Sequence, residues 1–266
     1  MNRARRAIAV VALLLLSAGA CSDDSTAPAR AGSSIRSKAA PASGPVLVFA
    51  AASLTEAFTE ARTVLQSELP DLVVTLNFAG SGTLVTQIEQ GADADVIATA
   101  DMESMRKLVD AGLVEAPLVF AHNELAIIVA PGNPRGIESL ADLARPDVTV
   151  VLADPSVPAG RYAEQVLTTA DVIVQPKSLE TDVKAAVARV TSGEADAAIV
   201  YATEVRAAGN TATGVTIPDS QNVVADYPIA IVKGAAHHEA AAAFVDAIAN
   251  GSGQEVLLTY GFEPAA

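Results

Sequence analysis

The chain has 266 residues, 51% of them hydrophobic, with one cysteine and no tryptophan. Its 31 acidic groups outnumber 17 basic ones for a net charge of −14, which argues against nucleic acid as a partner. A single cysteine excludes an internal disulfide framework, and the 4% aromatic content argues against a stacking platform for carbohydrate.

Residues 1–20 read as a signal peptide. Arg3, Arg5 and Arg6 form a basic n-region, and residues 8–16 form an apolar h-region too short for a membrane span. The run Ser17-Ala18-Gly19-Ala20-Cys21 resembles a bacterial lipobox, with Ala18 where leucine is usual, and marks Cys21 as a residue that would carry lipid. Residues 21–45 are rich in Ser, Ala and Pro without apolar periodicity. They read as the lipidated cysteine and a disordered tether.

The rest alternates strands and helices. Residues 46–50 (VLVFA) form a continuous apolar run, the signature of a strand buried on both faces. A helix is predicted over 55–69, a strand over 72–78, a helix over 83–90, a strand over 95–98 and a helix over 102–111. This order implies parallel strands with helices on both faces. Farther on, strands are predicted at 125–130, 148–153, 197–201 and 227–232. Helices are predicted at 140–144, 161–167, 182–192, 240–249 and 254–259. Two lobes fit this pattern: residues 46–123 with 227–266 as the first, and 124–226 as the second. The chain then crosses twice between lobes, making a hinge near residues 123–124 and 226–227.

Four turns from strand to helix carry the chemistry. Ser53-Leu54-Thr55-Glu56 has the form of a capping box, with Ser53 at the N-cap and Glu56 three residues on. In Ala79-Gly80-Ser81-Gly82-Thr83, glycines flank a serine and leave backbone amides bare. Asp154-Pro155-Ser156-Val157-Pro158-Ala159-Gly160 puts a proline in a first helical turn, leaving the Ala159 and Gly160 amides free. Asp182 is a good N-cap for a helix beginning at Val183. In a doubly wound sheet all four turns face the ligand crevice at the strand carboxyl ends. Helix N-termini offer unpaired N–H groups and partial positive charge, so the set suits an anion without lysine or arginine. Arg161 and Lys184 fall in first turns and are expected to point to solvent.

The segments FAAASLTEAF, FAGSGTL, QIEQGADADV, DPSVPAGRYA, AIVY, YPIAIV and YGFEP closely resemble the periplasmic molybdate-binding proteins of ABC importers, over about residues 45–263. The resemblance implies an α/β type II periplasmic-binding-protein fold, with two doubly wound lobes joined by a two-crossing hinge. It implies an oxyanion, molybdate or tungstate, held by the Ser53 and Ser81 hydroxyls and amides, the Ala159 and Val183 amides, and the Tyr201 hydroxyl. It also implies no cofactor, a permease and ATPase as partners, and a monomer outside the cytoplasm, anchored through Cys21. Sulfate is the rival ligand.

An enzyme is the rival of another class. Hydrolysis would need a base beside a serine, and His122, His237 and His238 fall in none of the serine motifs. The cysteine and scattered carboxylates give no metal spacing. Ferric-ion receptors of the same fold need clustered tyrosines, and Tyr162, Tyr201, Tyr227 and Tyr260 are dispersed along the sequence.

Overall fold

Strand β1 spans Gly44–Ala51 and pairs in parallel with β2 (Leu72–Ala79) and β3 (Val96–Ala98). The computed structural model describes residues 43–265; the signal peptide, Cys21 and most of the tether lie outside them. Alternation along β1 explains the double burial. Val46, Val48 and Ala50 face one apolar cluster, while Phe49 faces a second, together with Ile97 of β3. The first cluster is covered by α1 (Thr55–Glu68), α7 (His238–Asn250) and α8 (Ser252–Thr259). The second is covered by α2 (Ser81–Glu89) and α3 (Met102–Asp110), through Leu84, Val85, Ile88, Met105 and Leu108.

The carboxy-terminal helices complete this half. The ring of Phe58 on α1 meets Phe244 on α7 edge-on at 5.8 Å and Phe120 at 5.9 Å. Phe58 is fully buried, and burying a phenyl ring contributes about 1.5–3 kcal/mol.

The expectation of parallel strands holds for β1, β2 and β3 and fails beside them. Strand β9 (Val224–Ile231) is antiparallel to β3 and to β4 (Leu118–Val129). The reason is connectivity: β9 returns from the other half without a crossover helix, and so enters from the opposite end. β4 is longer than its predicted apolar core at 125–130. Its first half carries His122, Asn123 and Glu124, and polar residues mask a strand that is held by its partners.

Strand β4 joins the halves. Residues Leu118 to Glu124 pair with β9, and Leu125 to Val129 pair with β7 (Ala197–Tyr201) and with β8 (Thr213–Thr216). Beyond β7 lie β5 (Val150–Ala153) and β6 (Leu179–Glu180), both parallel. Helices α4 (Pro158–Thr169), α5 (Val183–Thr191) and α6 (Ala202–Ala208) pack on this second half. A short strand β10 (Glu263–Pro264) pairs with β4 at Ala121 and His122. The two halves are thus parts of one ten-stranded mixed sheet, joined through β4. None of the helices among the described residues is long and apolar enough to cross a membrane.

Candidate functional site

A small cavity of about 20 Å³ lies where the carboxyl ends of β1, β2, β5, β6 and β7 converge. Its wall contains Ser53, Ser81, Ala159, Val183 and Tyr201, so the structure brings all five predicted residues together. Gly80, Ala100, Pro158 and Asp182 complete much of the wall. The size matters. Ordinary small-molecule clefts run to about 300–1,000 Å³, far above this one, which leaves no room for a larger organic solute. A larger open groove, around Asp95 and His237, lies at the opposite ends of the strands and includes none of the five.

The helix starts arise from local chemistry. Pro158 occupies the first turn of α4, where its missing N–H costs nothing, and the first helical bond runs from the Arg161 N–H to the Val157 carbonyl. The Ala159 and Gly160 amides therefore have no partner within the helix. Gly160 is forced by packing: a Cβ there would stand 2.2 Å from the Asp154 carbonyl oxygen. Asp182 caps α5 as predicted, accepting from the Ala185 N–H at 3.0 Å. Gly80 precedes α2 and faces the other half of the molecule; a Cβ there would meet the Thr181 carbonyl oxygen at 3.0 Å. The glycine next to Ser81 thus serves the close approach of the two halves.

The capping box at Ser53 does not form. Residues Ala52–Leu54 make a short 3-10 turn, so α1 begins at Thr55 with Leu54 as its N-cap. The Ser53 hydroxyl lies 2.9 Å from the hydroxyl of Tyr227, and Glu56 is drawn to Lys184. Ser81 is engaged through its acceptor side, receiving the Ala100 N–H at 3.1 Å. Ser81 keeps a proton to give, and between Ser53 and Tyr227 either hydroxyl can be the donor.

Tyr201 is buried, and its hydroxyl neighbours that of Tyr227 without making a well-formed hydrogen bond to any described residue. Burial, with the neighbouring Tyr227 and Tyr162, holds its pKa well above the usual phenol value. At neutral pH it is a protonated donor without an acceptor, on the wall of the cavity. Such an orphan costs free energy, and the cost is relieved by an incoming acceptor.

Arg161 and Lys184 do not point to solvent, contrary to expectation. Arg161 pairs with Asp101 at the start of α3, reaches Glu103 at 3.3 Å, and donates to the Ser156 carbonyl at 2.9 Å. Lys184 pairs with Glu56 of α1 and approaches Glu204 of α6 to 2.7 Å. The sequence hides these partners because Asp101 lies 60 positions from Arg161 and Glu56 lies 128 from Lys184, while Glu204 sits in a helix the sequence pattern does not predict. Neither cation lines the cavity. Both instead tie α4 and α5 to helices of the first half.

The tyrosines dispersed in sequence are clustered in space: Tyr201 has ring neighbours Tyr162 at 6.5 Å and Tyr227 at 5.7 Å. Burial raises the pKa of all three, which opposes the phenolate form that ferric ligation requires. The histidines pair with carboxylates away from the cavity: His122 with Asp226 at 2.9 Å, His238 with Glu115 at 2.8 Å, His237 with Asp95 at 3.5 Å.

The turns ahead of α1, α2, α4 and α5 thus meet at one small cavity, an arrangement suited to holding a solute. The chain belongs to the bacterial extracellular solute-binding proteins, whose family profile matches residues 46–263. It is 36% identical over 254 residues to the molybdate-binding protein ModA of Mycobacterium tuberculosis, covering 95% of each chain. The periplasmic molybdate-binding protein of Azotobacter vinelandii shares the fold at a TM-score of 0.74 and 19% identity, over 83% of this chain and all of that one. The sulfate-binding protein SubI of Mycobacterium tuberculosis shares it at 0.75 and 20% identity, over 83% and 87%.

Proposed function

We propose that this protein captures molybdate, and tungstate equally well, outside the cytoplasm and delivers it to the permease and ATPase of an ABC importer. The observation that carries the reading is the unpartnered Tyr201 hydroxyl in a cavity walled by helix starts without a lysine or arginine. A relative of matching length that is named for molybdate binding supports the choice of anion. The contacts are the Ser53, Ser81 and Tyr201 hydroxyls and the amides of Ser53, Ser81, Ala159 and Val183. In this reading the lobes comprise residues 46–123 with 227–266, and 124–226, closing as a monomer about the β4 and β9 crossings. Cys21 carries the lipid that keeps the receptor at the membrane.

Every contact in this set donates a hydrogen bond. Molybdate, tungstate and sulfate without protons accept all of them, whereas phosphate near neutral pH retains a proton that needs an acceptor. A donor facing a donor in a buried site costs roughly 1–3 kcal/mol. Asp182, the carboxylate at the wall, is occupied in capping Ala185. Sulfate is refused by size, because the smaller ion leaves contacts too long. Calorimetry against the four anions tests the reading: molybdate and tungstate together at the top, sulfate far weaker and phosphate last. Sulfate binding tighter than molybdate would overturn it.

Ser53→Ala and Ser81→Ala should each weaken molybdate binding by roughly 1.5–3 kcal/mol, the range for a hydrogen bond to a charged group. Each should also lower stability without ligand by about 1–3 kcal/mol, because Tyr227 and the Ala100 N–H lose their partners. Titration and urea denaturation of the two variants separate these effects; unchanged affinity in both moves the site elsewhere.

A further inference from the structure

A chain of buried hydrogen bonds runs from the shared strand to the cavity, and its direction is fixed at the Asn123 end. The Asn123 side-chain oxygen accepts the Glu124 N–H at 2.9 Å, which fixes the amide orientation. Its Nδ2 then faces Thr203 Oγ1 at 2.8 Å and the Tyr227 hydroxyl at 3.5 Å, donating to both. With its oxygen receiving from Asn123, the Tyr227 hydroxyl has its single proton available for Ser53 Oγ at 2.9 Å, where either hydroxyl can be the donor. When Tyr227 is the donor, Ser53 accepts from it and keeps its own proton for the cavity. Asn123, Ser53 and Tyr227 are all buried, so water does not compete for these bonds.

We propose that Tyr227 is a positioning residue that holds the Ser53 hydroxyl as an obligate donor toward the bound anion, and so contributes to the rejection of protonated oxyanions. This rests on the anion reading above. Tyr227 lies outside the cavity wall and acts through Ser53. A serine hydroxyl free to rotate can accept as readily as donate; with one lone pair committed to Tyr227, its proton is left facing the cavity. Strand β9 carries Tyr227 and its neighbour β4 carries Asn123, so this strand pair at the junction of the halves also bears on the polarity of the first ligand turn.

Tyr227→Phe isolates the hydroxyl. The ring is gripped by Phe262, Tyr201 and Phe120 at 5.3, 5.7 and 6.4 Å, and phenylalanine keeps that packing. The experiment is a double-mutant cycle by calorimetry with molybdate and phosphate, on wild type, Tyr227→Phe, Ser53→Ala and the double variant. The expected result is an approximately tenfold loss of molybdate affinity in Tyr227→Phe, a narrower molybdate-over-phosphate ratio, and no further loss when Tyr227→Phe is added to Ser53→Ala. Wild-type affinity in Tyr227→Phe, or the same loss in both backgrounds, overturns the positioning role while leaving the anion site intact. Failure of the wild type to bind molybdate overturns the anion reading and this inference with it.

Discussion

Lys184→Ala should lower the folding free energy by about 3–5 kcal/mol at pH 8, the cost of leaving a buried charge without its partner. Glu204, on α6, is 1% exposed, and among the described residues Lys184 is its ion-pair partner. Desolvation pushes the Glu204 carboxyl up to about 7, against the attraction of Lys184, with Glu56 and Asp182 adding repulsion. Desolvation also works against the charge on Lys184, but the field and hydrogen bonds of Glu204 and Glu56 outweigh it and raise its pKa. Removing the lysine takes away the influence that holds Glu204 down.

The pH dependence follows from the direction of that shift. A carboxyl whose folded pKa exceeds its unfolded value near 4.5 favours folding most when protonated. Its contribution is complete below pH 4.5 and fades as pH rises through about 7. In Lys184→Ala the folded pKa climbs further, so the deficit against wild type should be small at pH 5 and full at pH 8. Adding Glu204→Gln should recover much of the loss and flatten the profile. Urea denaturation at the two pH values measures this, and an equal deficit at both would mean that Glu204 is not its origin.

The difference between what local sequence predicts and what long-range packing decides is visible in the same residues. Continuous apolar runs identified β1 and β7 because burial on both faces leaves no polar positions. Pro158 and Asp182 identified the starts of α4 and α5 because proline geometry and a side-chain cap act within a few residues. Ser53 misled for the complementary reason. Its neighbours form a capping box on paper, but Tyr227, 174 positions away, takes the hydroxyl and a 3-10 turn displaces the helix start. Tyr201 ends an apolar strand and has no local mark of a binding residue; the family resemblance alone singled it out. Helix α6 follows directly on β7 and was missed, which concealed Glu204 and with it the burial of Lys184.

Molybdate in thousandfold excess over its dissociation constant should stabilise the wild-type protein by about 4 kcal/mol, since a ligand bound only by the folded state contributes RT ln(1 + [L]/Kd). For a folded region of roughly 220 residues this corresponds to a rise in Tm on the order of 10 °C. The proposed contacts come from the turns before α1 and α2 on one side and from α4, α5 and β7 on the other. The anion therefore adds a bridge between halves that already meet at Lys184–Glu56 and Arg161–Asp101. Carboxylates neutralise both cations of those pairs, so helix termini and hydroxyl groups must supply the attraction. Sulfate at the same concentration should leave Tm nearly unchanged, because it satisfies the charge but not the spacing. Thermal denaturation with each anion distinguishes the cases: equal shifts from molybdate and sulfate would mean that the cavity reads charge alone, and that its small fixed wall contributes nothing to selection.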